Sequence, residues 1–116
     1  MANELGGTPI QSAAAFTTTP LGDAGVWTSV GLGNLNGGYY GSVYSDQDGS
    51  YIVQVSDDGT NWATSGSTVD ITGGTWANFS IAPGAALTRI VYTNGATPQT
   101  EFRFYVYASL TYVRSN

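Results

Sequence analysis

GSYIVQVSDDGTNW, residues 49–62, is the stretch whose reading decides the fold. Tyr51, Ile52, Val53 and Val55 are aromatic or β-branched, a composition that suits a pleated, half-buried surface. Ser56-Asp57-Asp58-Gly59-Thr60-Asn61 follows, in which short Asp and Asn side chains can accept from amides two residues on. Gly59 can take a positive φ at no steric cost. Trp62 then opens the returning segment with the side chain that buries the most area. A strand, a forced reversal and a large aromatic within one short window predict a β-hairpin. Asp58 and Gly59 are expected to fix its turn, and Trp62 to be its buried packing anchor.

The same pattern extends outward through the chain. Residues 14–19 read as a first strand stopped by Pro20, and residues 26–30 as a second around Trp27. The glycine-rich run 31–38 reads as a turn, because no Lys and no helix follow it as a phosphate cradle requires. Residues 39–44 form the next strand, and Asp46-Gln47-Asp48-Gly49 turns the chain into the hairpin. Strands over 67–71, 75–81 and 87–93 follow, parted by Gly73-Gly74 and Pro83-Gly84. The last and longest runs over 100–112. In it Phe102, Phe104, Val106, Ala108, Leu110 and Tyr112 share one face, with Arg103, Tyr105 and Tyr107 on the other. No stretch supports a substantial helix. About eight short strands in one domain predict an all-β fold: an antiparallel two-sheet sandwich, jelly-roll-like. Residues 1–13 lack periodicity and read as an extended arm, with a frayed terminus as the alternative, ahead of a single domain over 14–116.

Composition then limits the chemistry. The 116 residues are enough for one core without staples, and the chain contains no Cys and no His. Its cations are Arg89, Arg103 and Arg114 alone, against eight carboxylates, for a net charge of −5. Scattered arginines on an acidic chain exclude a nucleic-acid surface and disfavour an anionic membrane. Without His, Cys or Lys the common general bases and activated nucleophiles are missing, and no paired carboxylates suggest glycoside hydrolysis. No enzyme and no cofactor are expected. Asp46, Asp48, Asp57 and Asp58 sit at turn tips, where each pair is only a fragment of the six to eight oxygens calcium takes; turn chemistry accounts for them and no metal is expected. The N-terminus lacks the charged and apolar regions of a secretion signal. The polar, Lys-free surface nevertheless suits an exposed life. Trp27, Trp62 and Trp76 are expected in the core or an interface, with a sugar-stacking platform as the alternative.

Three segments in order carry a resemblance. GSVYSDQDGSY (41–51), VQVSDDGTNW (53–62) and RIVYTNGATPQTEFRF (89–104) are similar to small β-sandwich proteins of tailed bacteriophages, over about residues 14–112. The most specific part is Val91-Tyr92-Thr93-Asn94-Gly95 with Gln99-Thr100-x-Phe102. Residues 56–62 also resemble the Asp-box hairpin of sialidases, one residue short and present once, a structural device rather than a site. The phage resemblance implies a non-enzymatic structural protein of the virion surface, made in the host cytoplasm: a capsid decoration or head-fibre protein. Its expected partners are copies of itself, as a homotrimer or higher, and a major capsid or other virion protein. The expected docking residues are Leu5, Pro9 and Ile10 in the arm and Arg103, Tyr105 and Tyr107 on the polar face. A carbohydrate-binding module at a tail tip, or a filament subunit, is the alternative.

Overall fold

The computed structural model describes residues 12–33, 38–82 and 84–109. These form nine strands: β1 (Ala15–Thr17), β2 (Val26–Thr28), β3 (Leu32–Gly33), β4 (Tyr39–Ser45), β5 (Gly49–Ser56), β6 (Ala63–Ile71), β7 (Ala77–Ile81), β8 (Leu87–Asn94) and β9 (Phe102–Ala108). No helix occurs among the described residues. One sheet has the order β1-β9-β4-β7 and the other β2-β8-β5-β6, with β3 beside β2 along the same edge of β8. Every pairing is antiparallel. With β2 and β3 taken as one interrupted strand, this is the order of a jelly-roll-like sandwich. The interruption is closed by a side chain: Ser29 N donates to Ile90 O, and Ile90 N donates to Ser29 Oγ at 2.9 Å.

Residues 49–62 supply β5 and the turn of a β5–β6 hairpin that β6 completes. Ser56 Oγ accepts from the amides of Asp58 and Gly59, and Gly59 takes φ +78°. Asp58 Oδ1 accepts from the amides of Thr60 and Asn61, each at 2.8 Å. Four donors that the turn would otherwise leave to solvent are thus satisfied within it.

Alternation builds the core. Tyr39 and Val43 of β4, Tyr51 of β5, Ile90 and Tyr92 of β8, and Phe102, Phe104 and Val106 of β9 all point between the sheets and are buried. Phe104 is the hub. Its ring centroid lies 5.3 Å from Trp27, 5.4 Å from Phe79, 5.6 Å from Tyr51 and 6.0 Å from Tyr92. Such tilted and edge-on contacts are the geometries the aromatic quadrupole favours. Gly41 also faces this core, where the Phe79 ring and the Tyr105 carbonyl occupy the space of a side chain.

The segment that carried the most specific resemblance is a clamp at one end of the sandwich. Gln99, 5 % exposed, accepts at Oε1 from Leu21 N and donates from Nε2 to Ser45 Oγ, both at 2.8 Å. Buried Asn94 donates from Nδ2 to Gly22 O and Thr97 O. Thr100 gives both its hydroxyl and its amide to the Asp46 carboxylate, and Glu101 N adds a third donor. Three separate loops, β1–β2, β4–β5 and β8–β9, are tied together by these side chains.

Several expectations shift. Leu32–Gly33 is a short strand inside the expected turn 31–38. The strand expected at 67–71 begins at Ala63 and runs unbroken to Ile71, with its register against β5 shifting between Tyr51 and Val53. The last strand spans Phe102–Ala108, starting later than expected because Gln99 to Glu101 are engaged by the loops. Leu110 and Tyr112 lie outside the described residues, as do Leu5, Pro9 and Ile10 of the expected arm.

Trp62 is not in the core. It lies half-buried on the outer face of the second sheet, with Arg89 Cζ 4.2 Å from its ring centroid and its Nε1 donating to Gly59 O at 3.3 Å. The physical reason is parity. Trp62 continues the side of the hairpin that carries Gln54, and Gln54 accepts from Arg89 Nε on that same solvent face. The expectation of a buried anchor is therefore corrected to a cation–π lid over Arg89, worth about 0.5–1 kcal/mol where exposed.

Candidate functional site

The inward residues of β4 are Tyr39, Gly41, Val43 and Ser45, so Tyr40, Ser42 and Tyr44 must point outward. On β9 the same rule sends Arg103, Tyr105 and Tyr107 outward, and on β1 it sends Phe16. The sheet register then sets these side chains beside one another. Phe16 is directly opposite Tyr105, and Tyr107 is directly opposite Tyr40. Their rings lie nearly parallel, with centroids 6.0 Å and 5.5 Å apart. A third pair, Tyr44 and Trp76, meets at 5.3 Å on the other side of the face. Six aromatic residues therefore cross the solvent side of this one sheet.

One ring of each pair is well exposed, Phe16 at 59 %, Trp76 at 52 % and Tyr40 at 41 %, and its partner is half-buried. Ser42, Asn78 and Ser80 stand among them, with Ser42 between Tyr105 and Asn78 in the register. Charge is sparse. Arg103 lies opposite Tyr44 and is paired to Glu101, so the face offers rings and hydroxyls in place of a field. Tyr-rich surfaces interleaved with small polar residues give large contact area at low conformational cost, the composition of interface hot spots and of antibody paratopes.

The structure brings Arg103, Tyr105 and Tyr107 together on this face. It adds Phe16, Tyr40, Tyr44 and Trp76, which the sequence reading did not place there. The alternation through 39–44 carried the signal for Tyr40 and Tyr44; nothing local shows that β1 and β4 flank β9. Trp62 and Trp76 do not share a loop end: Trp76 belongs to this face and Trp62 to the outer face of the opposite sheet. Trp27 packs inward against Phe104.

The acidic turns are engaged in folding. The Thr100 hydroxyl, then the amides of Glu101 and Thr100, hold the Asp46 carboxyl at about 2. The amides of Asn61 and Thr60, with the Asn61 and Ser56 side chains, hold Asp58 well below the usual carboxylate range. Asp48 Oδ1 accepts from Gly73 N, and Asp57 Oδ1 from Ala86 N. Among the described residues no group of three His, Cys, Asp or Glu side chains converges as a metal site, and no helix is long and apolar enough to cross a membrane.

Two depressed carboxyls fix the sign of the acid response. Their stabilising contribution is complete above the unfolded-state value near 4 and is lost as pH falls through the lower folded values. The melting temperature is expected to hold from pH 7 to about 4 and to fall between about 4 and 2. In the Asp46→Asn/Asp58→Asn variant the starting value should be lower and the drop across that window smaller. Calorimetry at stepped pH checks both.

Residues 6–109 match the family model described as the uncharacterised protein YqxG N-terminal domain. Among solved structures, the PBSX exported protein XepA superposes with a TM-score of 0.74 at 24 % identity, over 94 % of this chain and 43 % of that one. The chain thus spans less than half of XepA's length, and the likeness is one of fold. TmCBM61, solved in complex with β-1,4-galactotriose, superposes with a TM-score of 0.49 at 19 % identity, over 79 % of this chain and 69 % of that one. No curated protein matches the sequence.

Proposed function

We propose a non-catalytic docking role for this chain, which belongs to the family of the YqxG N-terminal domain: it is a phage-related structural protein that attaches to a repeated protein lattice, as a capsid decoration or head-fibre protein does. The observation that carries this is the outer face of the β1-β9-β4-β7 sheet, where three aromatic pairs are presented to solvent. An exposed patch of large aromatics on a small domain marks an interaction surface. The phage setting draws support from the sequence resemblance and from the fold shared with the PBSX exported protein XepA. The chain's want of His, Cys and Lys supports binding over catalysis.

The Tyr40→Ala/Tyr107→Ala variant tests the reading. Removing one solvent-face aromatic pair costs the fold only about 0.2–1 kcal/mol. Loss of a hot-spot pair worth about 2 kcal/mol or more lowers affinity roughly thirtyfold. Co-sedimentation with capsids of the parental phage is expected to fall by at least that factor while the melting temperature barely moves. Unchanged co-sedimentation overturns the assignment of this face. Binding on a glycan array that the same variant abolishes, with capsid binding intact, would move the face to the sugar-stacking reading.

A further inference from the structure

The sandwich has an unguarded side. The chain segment 13–16, leading into and forming β1, makes one wall of a groove of about 270 Å³, and residues 27–30 make the other. Among the described residues each wall is the last strand of its sheet: β1 pairs with β9 alone, and β2 with β8 alone. Phe16 and Val30 stand exposed at 59 % and 66 %, while Trp27, resting on Phe104, forms the floor. No charged residue and no proline occurs in 13–17 or 26–33. Natural sheets protect free edges with charge, proline or bulges, and otherwise cover them. The groove is smaller than the roughly 300–1,000 Å³ of small-molecule sites, so it suits a few aliphatic side chains of a peptide segment.

The chain supplies such a segment. Leu5, Pro9 and Ile10 are the bulky apolar residues between Met1 and Ser12, and the described structure begins at Ser12, at the mouth of the groove. The same molecule cannot easily place them there. A reversal at Gly6-Gly7, the favoured two-residue turn, sets Leu5 opposite residue 8 and leaves Pro9 and Ile10 on the segment that runs into Ser12, so none of the three is brought against the wall at 13. A reversal at Gln11-Ser12 would reach it, but two-residue hairpin turns need positive φ, which Gln and Ser do not favour. From Ser12 back to Leu5 the extended chain spans roughly 23–25 Å, enough to cross to an adjoining molecule.

We propose that residues 5–10 of one copy seat in the edge groove of a second copy, against Ala14, Trp27 and Val30, so that copies are linked by exchanged N-terminal segments. The groove shares Phe16 with the aromatic face but neither Tyr40 nor Tyr107, so the Tyr40→Ala/Tyr107→Ala test of that face leaves the groove intact.

The cysteine-free chain allows a direct test. Full-length Ile10→Cys protein is mixed with full-length Val30→Cys protein under mild oxidation; a disulfide joining the two variants is expected, and none when Thr64→Cys on the far edge replaces Val30→Cys. Light scattering on Leu5→Asp/Ile10→Asp and on Val30→Glu is expected to show the mass fall to that of a single chain, with melting unchanged. The inference is overturned if Ile10→Cys/Val30→Cys closes its disulfide within one molecule at high dilution, which places the segment in its own groove. It is overturned equally if neither disulfide forms and the mass in solution ignores all three substitutions.

Discussion

Gly41→Ala is expected to give no cooperatively folded protein. A Cβ built on Gly41 lies 1.9 Å from the Tyr105 carbonyl oxygen and 2.7 Å from Phe79 Cζ. The second clash involves a side chain that can yield; the first is with the backbone of the central strand β9, paired to β4 along its whole length. Relief requires parting these two strands, and with them the hydrogen bonds of their ladder. The cost exceeds about 4–5 kcal/mol, a large part of the 5–15 kcal/mol that holds a domain of this kind together. Gly33→Ala is the control, since nothing lies within 4 Å of its added methyl. Circular dichroism during heating separates the two: a parent-like transition for Gly33→Ala and none for Gly41→Ala. Adding Phe79→Leu to Gly41→Ala should not restore the transition, because it leaves the carbonyl where it is.

Phe104→Ala is the second large effect. Phe104 is fully buried and its ring meets those of Trp27, Tyr51, Phe79, Tyr92 and Phe102, which come from both sheets. Truncation removes the one side chain common to all these contacts and leaves a cavity that strands held by two neighbours cannot collapse to fill. The expected loss is about 3–5 kcal/mol, read as a drop in the urea midpoint with the slope unchanged. Phe104→Leu should recover a substantial part of it. A Phe104→Ala loss under about 1 kcal/mol would mean that the core is not centred on this ring.

What the sequence made legible was what is local. The residue period sorted β9 correctly into Phe102, Phe104 and Val106 inside and Arg103, Tyr105 and Tyr107 outside, because alternation is a property of a single strand. The Ser56–Asn61 reversal was legible for the same reason: its donors and acceptors are all within a few residues. The assembled aromatic face was not, since it depends on β9 lying between β1 and β4, and strand order leaves no mark in either strand alone. Trp62 was misplaced because its large area argued for burial, whereas its position across the hairpin put it on the side of Gln54 and Arg89. Asn94 and Gln99 are residue types that water usually solvates, and burial suits them because Leu21, Gly22 and Ser45 offer partners from distant parts of the chain and Thr97 one from within the loop.

The position of β8 and β9 has a consequence for how the molecule comes into being. β9 joins β1 to β4, and β8 joins β2 and β3 to β5, so each sheet is held together by one of the last two described strands to be made. Ala15 must wait for Val106 before it has a neighbour at all. A nascent chain can close the β5–β6 hairpin, but two-stranded ribbons are marginal alone in water. Neither sheet can assemble until residues 87–108 have left the ribosome, so the domain folds only once its last two described strands have emerged. With contacts this distant in sequence, that folding belongs to the millisecond-to-second class of β-sandwiches. Until then every growing chain carries its aromatic strands uncovered.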